Sequence, residues 1–457
     1  MYSSSETVEN LVVLCDEYGS RWPGTPENRT AVEFMMGRLE EYGLEDPHLE
    51  PFEMPGWIRG TSKLEIVSPI KKEIPCIALP RSVEGEVEAE LVFLGDGPIP
   101  IYEERKEEIY GNIVMVTSRT PRGMTRRLHR GEKYSRSLLA GAKGFVFMNH
   151  YPAYGPVTGG VSPVIPSVGV SYENGCYLER LIARKGVVRV RIETRCKNLD
   201  VESWNVVADI PGCSGDEEHV IYGAHYDGHD IAQGALDDGT GAVCVMEMAR
   251  ALNTVRDKIK RRIRFILFGA EEIGLLGSRA YVSRYSEEMR DVRFMMNFDG
   301  SGRFGRQGFQ LHSWPELEPF FSDISEALGG GVPVYQDVNS NSDHWPFFMR
   351  GIPTGRLRDP DEERLVGGRG FGHTMYDTVD KVDLRLYREC VANAAIAAVR
   401  IANTDEWPVK HRTADEVQRV VNEMGTRPGL REKVREYLLS KEERLRPETR
   451  AYLKRVR

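Results

Sequence analysis

From Trp204 onward the chain repeats one order of segments: an apolar run, a short loop, then a longer amphipathic stretch. EHVIYGA reads as a strand and DGTGAVCVMEMARAL as a helix. RRIRFILFG and EIGLLGSRAYVSRY repeat the pair, and RFMMNFD supplies a further strand. Such alternation predicts an α/β fold with a mixed, mostly parallel sheet flanked by helices. In open sheets of this kind ligands bind outside the carboxyl ends of the strands. The residues that follow each apolar run are therefore where chemistry is expected.

Those residues are acids and histidines. His225 and Asp227 follow VIYGA, Glu271 and Glu272 follow IRFILFGA, and Asp299 follows FMMNF. Asp237 and Asp238 occupy a glycine-rich turn before a helix, and His373 lies in the later loop GGRGFGHTMYDT. Taken singly, each has an ordinary role. Aspartates in glycine-rich turns cap helices, and paired glutamates suit a helix's first turn. Together they would bury several carboxylates at one sheet edge, which is costly unless cations neutralise them. Histidine and carboxylate oxygen are donors that zinc accepts. The pattern thus reads as a metal-dependent hydrolase. HYDGH, residues 225–229, is not a zincin helix: its second position is Tyr226, where glutamate is required, and Gly228 disfavours helix. His229 reads as a loop residue.

The ordered set His225-Tyr-Asp227, Ala-Leu-Asp237-Asp238-Gly-Thr-Gly, Glu271-Glu272, Asp299 and His373 resembles peptidase family M28, the co-catalytic dinuclear zinc aminopeptidases. GSRWPGTPENRTAVEFM, NSDHWPFFMRGIP and HTMYDT support the match, which covers residues 5–55 and about 200–403. The resemblance implies two zinc ions bridged by Asp237. His225 and Asp299 would complete one, Glu272 and His373 the other. Glu271 would act as general base and acid on a metal-bridging water, and Asp227 would orient the imidazole of His225. It also implies a cis peptide bond between Asp237 and Asp238. Nitrogen and oxygen ligands separate zinc from cobalt or manganese only weakly. The residue before His373 is Gly372, where some relatives place a tyrosine that holds the developing oxyanion. Tyr376 or His344 are candidates to replace it.

Residues 60–195 change character, with short strand-like runs between Gly and Pro turns and helix-like pieces near SRSLLA and ENGCYLERLIARKG. This β-rich stretch resembles a protease-associated domain. The expected division is 1–60 and 198–405 for the catalytic domain, 61–197 for the insert, and 406–457 for a polar, arginine-rich helical appendage. That appendage reads as solvated, or as a contact in a homo-oligomer.

Composition narrows the rest. A net charge of −8 gives no reason to expect nucleic acid as a partner. No apolar run approaches the roughly 20 residues of a membrane span, and the acidic start lacks a signal-peptide pattern, so a cytoplasmic enzyme is expected. Seven widely spaced cysteines suit reduced thiols.

The expected function is a zinc exopeptidase that removes the N-terminal residue of peptides. Arg356, Arg358, Arg364 and Arg369 precede His373. They either pair with Asp359, Asp361, Glu362 and Glu363 or receive a substrate carboxylate. The second option would mean a carboxypeptidase or dipeptidase. A glutaminyl cyclase-like acyltransferase and a non-catalytic binding module are the remaining alternatives.

Overall fold

In the computed structural model the described residues are 6–124, 126–215, 217–303, 307–360, 371–424, 429–441 and 445–455. They form two compact units. One comprises Met1–Met54, Glu202–Gly372 and Tyr376–Met424, the other Pro55–Val201, His373–Met375 and Gly425–Arg457.

The first unit is built on a mixed sheet. Its strands lie in the order Glu45–Ile58, Lys197–Ile210, Arg262–Phe268, His219–His225, Val292–Asn297, Thr354–Arg358, Gly308–Leu311 and Val334–Gln336. The strand His219–His225 runs parallel to both neighbours, and Val292–Asn297 runs parallel to Thr354–Arg358. Lys197–Ile210 pairs antiparallel with Arg262–Phe268, and Gly308–Leu311 pairs antiparallel with Thr354–Arg358 and parallel with Val334–Gln336. All seven residues of His219–His225 are buried. This is why the run is apolar throughout rather than alternating: helices cover a parallel sheet on both faces.

On one face pack Pro26–Glu41, Thr240–Asn253 and Leu384–Asn403, sharing a core with Val220, Tyr222, Phe265 and Phe294. Leu276–Arg284 and His344–Phe348 contribute Tyr281 and Phe347 to the opposite core, with Ile221 and Met295. Each such side chain contributes about 1.5–3 kcal/mol on burial. The helix Pro26–Glu41 begins after Thr25, whose hydroxyl accepts the N–H of Asn28 as an N-cap.

The second unit has its own sheet, in the order Lys72–Ile74, Ser62–Ser68, Arg189–Thr194, Gly85–Phe93, Ile113–Thr117, Gly144–Met148, Ser167–Val170 and Ile77–Ala78. Gly85–Phe93 through Ser167–Val170 are parallel. The predicted helical interruptions are Arg130–Leu139 and Tyr172–Lys185.

The C-terminal segment is helical, in Ala414–Glu423, Leu430–Leu439 and Pro447–Arg455. The last two differ from a solvated appendage. Val434, Leu438 and Leu453 are buried in one core with Val114, Tyr134, Phe145 and Phe147 of the second unit. The four-residue spacing of Val434 and Leu438 presents them on the same helix face.

Candidate active site

The strand His219–His225 ends with a buried imidazole. Nδ1 of His225 lies 2.8 Å from the main-chain oxygen of Asp227, and Nε2 lies 3.5 Å from Oδ1 of Asp237. The carbonyl fixes a proton on Nδ1, so in the neutral ring the Nε2 lone pair faces the site beside Asp237. The Asp227 carboxylate is farther from that ring, at 3.7 Å. It instead accepts the N–H of Glu271 at 3.0 Å and of Glu272 at 3.2 Å. Asp227 therefore orients His225 through its backbone and the two glutamates through its side chain.

Asp237 and Asp238 are joined by a cis peptide bond. The turn around them is held from several sides. Asp377 accepts the N–H of Leu236 at 2.7 Å and of Asp237 at 3.1 Å. Arg303 donates twice to the Leu236 carbonyl, and its Nη2 lies 3.1 Å from Oδ1 of Asp237. Fully buried Arg21 donates to the carbonyls of Tyr226, Gln233 and Gly234. Asp238 accepts the N–H of Gly241 and Gly300. It thus fixes the turn from within while Asp237 faces the site.

Asp299 follows the strand Val292–Asn297, and the Phe298 N–H is bonded to the Gly223 carbonyl. One ligand atom each from His225, Asp237 and Asp299 lie within 4.8 Å of one another, all three residues being buried. Burial would raise the Asp299 carboxyl, but Arg356, 3.3 Å away, holds it down at about 2. Burial opposes charge on His225, yet Glu271, Asp227 and Asp237 keep its pKa well above the usual value. Glu271 is pushed well up by burial; His225 opposes this, and Glu272, Asp343 and Asp299 add to it. Such a crowd of buried acids is a recurrent mark of a functional site.

Beside this trio, Nε2 of His229 lies 2.9 Å from Oε2 of Glu272, and both side chains are buried. His373 opens the segment His373–Met375 of the second unit, in left-handed conformation, with its carbonyl accepting the Thr158 N–H.

The other candidates are dispersed. Arg356 is buried in Thr354–Arg358, with its guanidinium on the carboxylate and carbonyl of Asp299. Arg358 ends that strand, opposite Gly308. Arg364 and Arg369 fall outside the described residues. His344 is buried, its ring 3.9 Å from that of His312 and its Nε2 2.8 Å from the Asn339 carbonyl. Burial and the charge of Arg356 lower its pKa to about 3. Tyr376 is exposed. Arg21, Arg303 and Asp377 were not singled out from sequence. Asp377 stands within the HTMYDT motif, but nothing local marks it as the acceptor for the Asp237 turn.

Residues 205–399 match the model of peptidase family M28, and residues 87–178 match the PA domain. The chain thus carries a peptidase M28 domain and a PA domain. It is a hydrolase acting on peptides, with a PA domain inserted in its M28 fold. Carboxypeptidase Q of Xenopus laevis is 26% identical over 88% of this chain and 87% of its own length. A probable leucine aminopeptidase 2 of Trichophyton verrucosum is 32% identical over 52% of each chain. A peptidase M28 precursor from Shewanella amazonensis shares the fold of this M28 chain, with a TM-score of 0.75 at 24% identity, over 90% of this chain and 95% of that one. No helix among the described residues is long and apolar enough to cross a membrane.

Proposed function

We propose that this chain is a zinc-dependent aminopeptidase that releases the N-terminal residue of peptides. The donor set supports zinc. His225, Asp237 and Asp299 offer one nitrogen and two carboxylate oxygens within 4.8 Å, and carboxylates so buried call for a cation. Asp237 would bridge to a second ion held by Glu272 and, as the family resemblance assigns, His373. Bound there, zinc would lower the pKa of water and polarise the scissile carbonyl.

The chain's own residues do the remainder. The main-chain bond from Glu271 to Asp227 sets the base at the strand end. The Glu271 carboxylate takes the proton of the attacking water and returns it to the leaving amine. Asp227 and Asp377 keep the glutamate pair and the Asp237 turn in register.

One observation carries the choice of peptide end: among the described residues, Arg303 and Arg356 beside the trio face its own carboxylates, Arg303 on Asp237 and Arg356 on Asp299. An acidic site of this kind suits a substrate ammonium better than a second carboxylate. The match to carboxypeptidase Q over most of the chain favours the second reading, a carboxypeptidase or dipeptidase.

The test pairs leucine p-nitroanilide with a peptide offered free, N-acetylated and C-amidated, alongside a metal count by mass spectrometry. Chelator-sensitive cleavage that needs only the free amine supports the aminopeptidase. Cleavage that needs only the free C-terminus overturns it in favour of the carboxypeptidase.

A further inference from the structure

The loop that carries His229 is built more firmly than a connection requires. The Gly228 N–H is bonded to the Ser20 carbonyl at 2.8 Å, and the Ala232 N–H to the carbonyl of His229 itself at 3.2 Å. Trp22 stacks on the imidazole, with centroids 5.7 Å apart and planes inclined by 28°. A Cβ at position 228 would stand 2.9 Å from the Asp237 carbonyl oxygen and 3.0 Å from the Gly234 Cα. The loop therefore lies directly against the turn that carries Asp237, and Gly228 permits that approach. Its imidazole ends 2.9 Å from a carboxylate whose own backbone is pinned by Asp227. Ring plane, backbone and the neighbouring carboxylate are thus all fixed beside the expected bridging aspartate.

We propose that His229 is a further nitrogen ligand of the ion assigned to Glu272. The inference rests on the zinc reading above and adds a donor to it. With Asp237 and Glu272, and with His373 as the family resemblance assigns, this ion would have four protein donors, the closed set typical of zinc held for structure. The ion on His225, Asp237 and Asp299 would keep three, and so an open position. The two sites would then load unequally, the one containing His229 first and more tightly.

The test is zinc titration of the full-length apoprotein against a competing chelator, followed by the same titration of His229→Ala and His229→Gln. Glutamine can donate a hydrogen bond to Glu272 but is a poor zinc donor. The expected result is two unequal zinc affinities in the wild type, with the tighter one weakened in both variants by more than the roughly 10–100-fold of an outer-shell partner. Circular dichroism verifies that the variants fold. A second measurement needs no variant: one equivalent of Co2+ in the wild type should give the intense visible absorption of a four-coordinate ion.

Wild-type affinity in His229→Gln, or a weak six-coordinate cobalt spectrum, overturns the ligand role and leaves the zinc reading standing. A wild-type apoprotein that takes up no zinc overturns that reading itself, and the inference with it.

Discussion

Asp227 and Glu271 are 44 positions apart, yet Oδ1 of the first accepts the main-chain N–H of the second at 3.0 Å. The other oxygen accepts the N–H of Glu272 at 3.2 Å. One carboxylate thus sets where two neighbouring glutamates begin. An amide cannot do this, because one of its two atoms is a donor and would face an N–H. Asp227→Asn is expected to lower kcat/KM and metal affinity by about 10–100-fold. Steady-state kinetics and zinc titration read the two losses. Unchanged values in both would remove Asp227 from the supporting frame.

Glu271→Gln keeps the shape of the side chain and removes its capacity to take a proton. Zinc content should remain that of the wild type, while kcat falls by about 10²–10⁴-fold. Metal analysis beside the kinetic assay separates the two quantities. Wild-type turnover would rule out the base role.

Asp377 ties the Asp237 turn by two N–H bonds, at 2.7 and 3.1 Å. In Asp377→Asn one of them loses its acceptor. Zinc affinity should fall by about 10–100-fold, without the proton-transfer defect of Glu271→Gln. Saturating zinc should restore most of the activity. Failure to rescue would place Asp377 in the chemistry rather than in the positioning of the turn.

Lys133 lies in the core of the second unit, where Nζ donates to the carbonyls of Thr117 and Arg119. Burial lowers its pKa from 10.5 to about 8. Between these values the unfolded chain holds a proton that the folded chain does not, so the group's contribution to stability rises with pH across that window. The stability of the wild type relative to Lys133→Met should therefore increase from pH 8 to pH 10. Urea unfolding at the two pH values measures it. A difference that shrinks with pH would contradict the assigned cause.

The strand ends were readable in the sequence because buried parallel strands are apolar throughout. The acid or histidine that closes each run therefore announces itself, as His225, Glu271 and Asp299 do. The alternation of strands and helices after Trp204 was readable for the same reason. Partnerships across distance were not. Arg356 looked like a loop cation facing Asp359 and its neighbours, yet it pairs with Asp299, 57 residues earlier. His229 looked like a loop residue because nothing in HYDGHD tells that the loop turns back beside Glu272. Arg21 and Asp377 serve backbone groups far along the chain, and a backbone partner leaves no trace in composition.

The helices Leu430–Leu439 and Pro447–Arg455 lend Val434, Leu438 and Leu453 to a core otherwise made by residues 79–165. During synthesis the inserted domain emerges whole long before these helices exist. The residues that cover its apolar face are translated only after the second half of the M28 domain. A chain cut short near residue 425 would carry every proposed metal ligand and still expose the apolar residues that Val434, Leu438 and Leu453 cover.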